Sequence, residues 1–360
     1  MKHLCTVNCI IPPHMLKKLM ESPDPEVRRI ALETLLATTE LRTERRFAQF
    51  ALAGRVGASK DRVIFNCRNG ENPQAALRAR DEKGAAAGDP SVDGAFERFG
   101  TTYDFFFNVL RRNSIDAQGM QLKGFVHYGT QYNNAFWNGS EMIFGDGDGR
   151  FFTDFTRSLD VIAHELTHGV TQFAAGLEYR NQSGALNESI SDVFGSLVKQ
   201  WSLKQKAQDA DWLIGADIFT PAYKGDALRS LKDPGTAYHH REFGDDPQPK
   251  HMRNYVMLPE TRDGDWGGVH INSGIPNHAF YLAATAIGGY AWEVAGAIWF
   301  DALAQSAPAT PFTAFADRTV LLASSKYHGR KEIEEAVRDA WRQVGVSVTV
   351  PAMKKKRVPH

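Results

Sequence analysis

His164 and His168 stand four residues apart in the run Leu159-Asp160-Val161-Ile162-Ala163-His164-Glu165-Leu166-Thr167-His168. On an α-helix that spacing puts both imidazoles on one face, one turn apart, where they can reach a single metal ion. Glu165 follows the first histidine directly and can address a water molecule beside that ion. Leu159, Val161, Ile162, Ala163 and, further on, Val170 supply an apolar stripe that would bury such a helix. A hydrolytic zinc site commonly has three protein ligands and keeps a fourth position open for water. The third ligand is expected on a neighbouring element, and Glu188 offers it. It lies in a second helical pattern, Ala185 to Trp201, which follows an apparent turn at Ser183-Gly184. Asp192 is one helical turn beyond Glu188 and can reach the far nitrogen of a ligating histidine, fixing its tautomer and raising its basicity. The bland alternative is two ordinary charged helices whose histidines are solvated or satisfied in the core.

Further motifs follow in a fixed order. Tyr132-Asn133-Asn134-Ala135-Phe136-Trp137-Asn138-Gly139 and Gly145-Asp146-Gly147-Asp148-Gly149 precede the histidine helix. Gly176-Leu177-Glu178-Tyr179, Ser183-Gly184-Ala185-Leu186-Asn187-Glu188, Leu228-Arg229-Ser230 and Gly267-Gly268-Val269-His270-Ile271-Asn272-Ser273-Gly274 come after it. With these, the chain resembles the thermolysin-like zinc metallopeptidases from about Val63 to Val346. Cys9-Ile10-Ile11-Pro12-Pro13-His14-Met15-Leu16 resembles the short propeptide of the protealysin-like subgroup.

The resemblance implies an α+β fold of two domains, β-rich in the amino-terminal part and mainly helical in the carboxy-terminal part, with the zinc helix at the cleft. It divides the chain into a propeptide over 1–50, an amino-terminal catalytic domain over 51–176, a helical domain over 177–346 and a basic tail over 347–360. It also implies one catalytic zinc, on His164, His168 and Glu188. Such an ion lowers the pKa of a water to about 7 and polarises a carbonyl. Glu165 would take the proton of the water and pass it to the leaving amine, a task for a carboxylate whose pKa is tuned by burial and charge. His270 and Tyr179 would donate to the oxyanion, with Asp265 orienting His270. Arg229 would bind the carbonyl of the residue after the cleaved bond, and Asn134, Ala135 and Trp137 would hold the substrate backbone as an added strand. Asn187 and Asp192 would support the metal ligands from behind. Val161, Ile214, Ile218 and Leu228 match the lining of the pocket just after the cut. All four are aliphatic, so cleavage before Leu, Ile, Phe or Val is expected.

The chain departs from the thermolysin pattern in three places. Trp266 stands where Asn is usual, and the loop from Asp233 to Asp265 is longer, as the protealysin-like subgroup implies. The third departure concerns calcium. Asp160 and Asp211 remain at positions matching a paired calcium site, but Lys199, Leu213 and Ala216 replace its other acidic ligands. Too few oxygens are left for an ion that needs about 6–8, so the Lys199 ammonium is expected between the two aspartates. A second calcium site near Thr220 and Asp226 retains a single carboxylate.

Composition sets the outer bounds. The chain has 360 residues, 42% hydrophobic and 23% charged, enough for two domains with real cores. Its formal net charge of zero gives no global basic field for nucleic acid. The Lys354 to Arg357 run reads as a solvated end, no apolar segment is long enough to span a bilayer, and a monomer is expected. The first residues, Met1 to Thr6, lack the apolar core of a secretory signal peptide. The family is extracellular, so synthesis in the cytoplasm followed by non-classical export or release is the expectation. Three cysteines without framework spacing argue against a disulfide scaffold, and Cys67 reads as a buried thiol.

A helical period from Met15 to Ala37 is interrupted at Pro23-Asp24-Pro25, and the basic Arg42 to Arg46 stretch suggests maturation between about Thr43 and Lys60. Cys5 or Cys9 as a thiolate on the zinc is one route to latency, steric occlusion the other. Strands are expected from about Arg55 to Asp154 around one helix, Val92 to Arg112. Helices are then expected over 159–175, 185–203, 277–288, 290–305, 312–325 and 330–344. Two rivals stand beside the peptidase reading: a zinc hydrolase of non-peptide substrates and a catalytically silent metal-binding or interaction protein. Retention of Glu165, Tyr179 and His270 speaks against the silent one.

Overall fold

A computed structural model describes residues 8–48, 59–223 and 225–351 of the chain, 39–48 of them by backbone alone. The amino-terminal segment contains strand β1 (Asn8–Cys9) and helices α1 (Pro13–Leu19) and α2 (Pro25–Ala48). The Pro23–Pro25 interruption expected from the sequence separates two helices here, and Pro25 opens the second, where its missing N–H costs nothing.

The next region holds β2 (Arg62–Asn66), β3 (Leu77–Asp81), helix α3 (Pro90–Leu110), β4 (Leu122–Val126), β5 (Ala135–Trp137) and β6 (Met142–Phe144). Helix α3 starts where its residues dictate. The Asp89 side chain accepts from the N–H groups of Ser91 and Val92, and Pro90 takes the first helical position. The six strands form one mixed sheet in the order β1-β5-β6-β4-β2-β3. β2, β4 and β6 run parallel, while β5 and β1 are antiparallel to their neighbours.

Helices α4 (Leu159–Ala174) and α5 (Asn181–Leu203) pack along each other and form the floor of the cleft. Their close approach needs Gly195, since a Cβ there would stand 2.6 Å from the Asp160 carbonyl oxygen. The expected turn at Ser183-Gly184 is not a turn: both residues lie inside α5. Gly184 is required for packing, because its Cβ would meet Val269 Cγ1 at 2.5 Å and the Tyr179 backbone at 2.9 Å.

Past α5 come the short ribbons β7 (Leu213–Ile214) with β8 (Arg229–Ser230) and β9 (His239–His240) with β10 (Gly244–Asp245). The remainder is helical: α6 (Asp265–Asn272), α7 (Gly274–Ile287), α8 (Ala295–Ala304), α9 (Phe312–Lys326) and α10 (Lys331–Gln343). The stacked indoles of Trp299 and Trp341, 5.8 Å apart, tie α8 to α10. The thermolysin-like two-domain expectation is met, with helix ends displaced from the expected ones by a few residues, α2 and α8 excepted (Ala48 in place of Ala37, Ala295 in place of residue 290), and with α6 not foreseen. Among the described residues, no helix is long and apolar enough to cross a membrane. Cys67 is buried, and burial pushes its thiol up to about 11.

One ionic cluster holds the amino-terminal sheet to its loops. His127 lies between Asp146 (Nδ1 to Oδ1, 2.8 Å) and Asp89 (Nε2 to Oδ2, 3.0 Å). The hydrogen bond to Asp146 is the main cause that lifts its imidazole to about 9; the Asp146 charge and the bond and charge of Asp89 add to it, against burial. A raised pKa means stability that is complete below the unfolded value of about 6.5 and is lost as pH rises through 9. The melting temperature should therefore fall between pH 6.5 and 9.5 by more in the parent chain than in His127→Gln. Parallel curves for the two proteins would refute that role.

Candidate active site

His164 and His168 lie on α4 with their rings completely buried. The Nδ1 atom of His164 meets Asp192 Oδ1 at 2.8 Å, and that of His168 meets Asn187 Oδ1 at 2.8 Å. Both partners present acceptor oxygens, so each ring carries its proton on Nδ1 and turns an Nε2 lone pair inward. The two Nε2 atoms are 3.0 Å apart. Glu188 on α5 brings its oxygens to 3.6 Å from His164 Nε2 and 3.5 Å from His168 Nε2. Ligands at zinc's usual bond lengths of about 2.0–2.2 Å, placed tetrahedrally, would be separated by roughly 3.4 Å. Two imidazole lone pairs and a carboxylate converging in a buried space would repel one another without a cation. The Oε2 atom of Glu188 moreover has no hydrogen-bond partner. Among the described residues these three form the one cluster of His, Cys, Asp and Glu able to hold a metal. The sulfur of Cys9 is not part of it, and Cys5 lies outside the described residues.

Glu165 projects from the same face of α4 and is fully buried. Its Oε2 accepts from the Trp137 N–H on β5 at 2.9 Å, while Oε1 has no partner. Burial, and then the charge of Glu188, holds its pKa well above the usual carboxylate range. On the opposite wall Tyr179 donates its hydroxyl to Glu188 and lies 3.1 Å from His270 Nε2. His270 is gripped by Asp265 twice: Nδ1 to Oδ1 at 2.6 Å, and its backbone N–H to Oδ2 at 2.9 Å. Burial alone would lower the imidazole, yet the charge of Asp265 and that of Glu188 lift it to about 9. The grip is shaped by backbone in the left-handed region over Asp265 (φ 51°), Trp266 (53°), Gly267 (89°) and Gly268 (75°). Trp266 thus takes part in the loop's unusual turn without disturbing the contact between Asp265 and His270. Non-glycine residues held in this region are typical of functional sites whose surroundings over-determine them.

Asp192 joins His164 to Arg229. Besides His164 it receives Arg229 Nε (2.8 Å), Arg229 Nη2 (2.9 Å) and Asn277 Nδ2 (2.9 Å). Burial would raise its pKa, but the Arg229 charge and the His164 hydrogen bond hold it well below the usual range. Val161, Ile214, Ile218 and Leu228 are all buried in the core beside this wall. Leu228 and Ile214 are further linked by a backbone hydrogen bond of 2.8 Å.

The cleft is filled by the chain's own amino terminus. β1 adds to the free edge of β5, with Asn8 opposite Trp137 and Cys9 opposite Phe136. The Ile10 N–H donates to the Ala135 carbonyl at 3.1 Å, and the Ile11 N–H to Asn134 Oδ1 at 3.1 Å. Arg229 Nη1 donates to the Ile10 carbonyl (3.1 Å), and His270 Nε2 lies 3.1 Å from the Cys9 carbonyl oxygen.

A description of the thermolysin metallopeptidase catalytic domain matches residues 42–172, and one of its alpha-helical domain matches residues 175–346. The chain belongs to the thermolysin metallopeptidase family. It is 46% identical to the extracellular metalloprotease of Pectobacterium carotovorum subsp. carotovorum, over 94% of this chain and 96% of that one. It is 42% identical to protease PrtS of Photorhabdus sp. (strain Az29), over 94% and 92% of the two chains. The solved precursor of protealysin, a metalloproteinase from Serratia proteamaculans, superposes with a TM-score of 0.85 at 46% identity, covering 94% of this chain and all of that one. As a thermolysin metallopeptidase the protein is a peptide hydrolase, and the catalytically silent alternative is not favoured.

The structure brings His164, Glu165, His168, Tyr179, Glu188, Asp192, Arg229, Asp265 and His270 together by direct contacts or through neighbouring side chains, while Val161, Ile214, Ile218 and Leu228 are buried in the core. Three contributors were not foreseen. Ser191 Oγ lies 3.0 Å from His168 Nδ1, Gln248 Nε2 donates to the His270 carbonyl at 2.7 Å, and Asn277 holds Asp192. Asn277 and Gln248 lie far from Asp192 and His270 in sequence, so only the fold reveals their part; Ser191, beside Asp192, could have been suspected from its place on α5.

Proposed function

We propose that this metallopeptidase uses one zinc ion to cleave peptide bonds before large hydrophobic residues, and that it is made as a zymogen held latent by its first 50 or so residues. The single observation that carries the reading is the buried convergence of His164, His168 and Glu188 beside Glu165, with His270, Tyr179 and Arg229 on the opposite wall. Zinc bound there would supply a Lewis acid for the scissile carbonyl and for a water. Glu165 takes the proton from the attacking water through its free oxygen and hands it to the leaving nitrogen. His270, kept protonated by Asp265, and the Tyr179 hydroxyl donate to the carbonyl oxygen as negative charge develops on it. Arg229, fixed in direction by Asp192, binds the next carbonyl, and Asn134 and Ala135 align the backbone. The aliphatic wall of Val161, Ile214, Ile218 and Leu228 selects an apolar side chain after the cut. Casein hydrolysis that stops on zinc removal tests this function. The relative from Pectobacterium is named as extracellular, and release from the cell is proposed for this chain too.

Calcium is proposed to be dispensable. Lys199 Nζ lies 3.1 Å from Asp160 Oδ2, 2.9 Å from Asp211 Oδ2 and 3.4 Å from the Leu213 carbonyl. Burial would lower the ammonium's pKa, but the charges of Asp160 and Asp211 raise it above the ordinary lysine value. These contacts support the reading that the Lys199 ammonium stands in for a divalent ion. Asp226, the one carboxylate retained from the family's second calcium site, is paired with His240 Nε2 at 2.7 Å. Lys199→Ala leaves the buried Asp160 without its cation, a change expected to cost about 3 kcal/mol. Selective calcium removal at constant zinc should leave the parent melting temperature unchanged. A rise of several degrees on adding calcium to the parent would contradict the substitution of an ammonium for the ion.

A further inference from the structure

The residue roles and the contacts of the amino-terminal strand single out one peptide bond. Arg229 is the group that binds the carbonyl of the residue following the cut, and in the structure it holds the Ile10 carbonyl. His270 is the group that serves the carbonyl being attacked, and it meets the Cys9 carbonyl. These two assignments come from different walls of the cleft, yet they agree on the bond between Cys9 and Ile10. The backbone agrees as well. The N–H that would become the leaving amine, that of Ile10, points at the Ala135 carbonyl, and the next N–H, that of Ile11, at Asn134 Oδ1. Strand β1 runs antiparallel to β5, the way an added substrate strand does. Finally, the residue after the bond is a fully buried isoleucine that shares the core cluster of Val161, Ile214, Ile218 and Leu228. Isoleucine is one of the residues expected after the cut.

The sulfur of Cys9 does not join the metal-ligand group; it belongs to a separate apolar cluster with Phe136, Tyr128 and Ile143. The main-chain carbonyl of Cys9 addresses His270.

We propose that the bond between Cys9 and Ile10 is a substrate of the chain's own active site and is cut within the same molecule once zinc is bound, an inference that rests on the zinc-peptidase reading above. Water adds to the Cys9 carbonyl carbon, with Glu165 receiving its proton. The bond from that carbon to the Ile10 nitrogen breaks, and the proton moves to the nitrogen. The products are a Met1–Cys9 peptide ending in a carboxylate and a chain beginning with the Ile10 amine. The shortened prosegment stays docked, because its other anchors lie beyond the cut. These include His14 to the Tyr238 hydroxyl (2.9 Å), Asp24 to Arg150 (2.6 Å), Thr38 to the Tyr132 hydroxyl (2.7 Å), and the buried Met15, Leu16 and Leu19. The cut opens the half of the cleft before the scissile bond and leaves a product-like inhibitor in the other half. Loss of the rest of the prosegment is then a separate, later event.

The test uses the full-length chain, purified in the presence of a chelator and then given one equivalent of zinc. Intact mass and amino-terminal sequencing follow it in time. The expected result is a Met1–Cys9 fragment and a new terminus at Ile10, appearing at a first-order rate that does not change on dilution. The chelated protein and Glu165→Gln should both keep Met1. In those two samples the buried Cys9 thiol should also stay protected from alkylation, whereas in the cut chain it becomes reactive. Ile10→Asp should lose this cut. The proposal is overturned if the zinc-loaded chain matures and hydrolyses casein while releasing a prosegment in which Cys9 and Ile10 are still joined. It is equally overturned if the cut slows with dilution, which would make it a reaction between molecules. A zinc-loaded chain that stays uncut but hydrolyses casein once its first 50 or so residues are removed would overturn this proposal alone, and one that hydrolyses no casein even then would overturn the peptidase reading as well, so the two failures are told apart.

Discussion

Glu165→Gln is expected to keep its zinc and lose peptide hydrolysis. The three ligand side chains, His164, His168 and Glu188, are untouched by the change, and so are Asp192 and Asn187 behind them. An amide oxygen can still accept from the Trp137 N–H, as Glu165 Oε2 does now, so the pocket should retain its shape. What the amide cannot do is take a proton from water and return it to the leaving amine. Losing a positioned general base costs about 100- to 10,000-fold, which for a protein substrate is close to no signal. His270→Ala should fall by roughly 100- to 1000-fold, the usual effect of removing a donor to the developing oxyanion. Zinc content measured beside the rate separates loss of chemistry from loss of metal. Proteolysis near the parent rate by Glu165→Gln would sink the mechanism.

The second large effect concerns latency. Removal of the first 50 or so residues should raise activity on casein from near zero to the level of a working enzyme. The reason is steric and complete: Cys9, Ile10 and Ile11 hold the hydrogen-bonding groups of Ala135, Asn134, Arg229 and His270 that a substrate backbone needs. Helices α1 and α2 keep this plug in place through buried Met15, Leu16, Leu19, Val27 and Ala31. Cleavage is expected between about Thr43 and Lys60, a span that falls largely outside the described residues. Equal activity of the full-length and trimmed chains would refute latency. A doubly substituted Cys5→Ser, Cys9→Ser chain should remain latent, since it is the main chain of residues 9–11 that blocks the cleft; its full activity would revive the thiolate alternative.

The helices and the metal site were readable because their signals are local. The four-residue spacing of His164 and His168, the apolar stripe of α4 and the Asp89-Pro90 start of α3 each lie within a single helix or at its first residues. The resemblance carried the rest of the expected catalytic set, of which Tyr179, Asp265 and His270 lie in contact with one another or with Glu188. Ser183-Gly184 misled for a physical reason. Serine and glycine favour turns in isolation, but here Gly184 is demanded by the contact of α5 with Val269 and Tyr179, which no local pattern reveals. Asn277 and the ion bridge of His127 were invisible for the same reason, since their partners lie 85 residues from Asn277 and 19 and 38 residues from His127. The seating of the prosegment was legible only as a resemblance. That β1 pairs with β5 in a register placing Cys9 and Ile10 at the catalytic groups follows from tertiary packing alone.

The most direct test of the central claim is metal titration of the processed enzyme with casein as substrate. Chelation should abolish hydrolysis, and one equivalent of zinc per chain should restore it in full, with no requirement for calcium. Casein hydrolysis that persists after zinc has been removed to far below one equivalent would contradict the account.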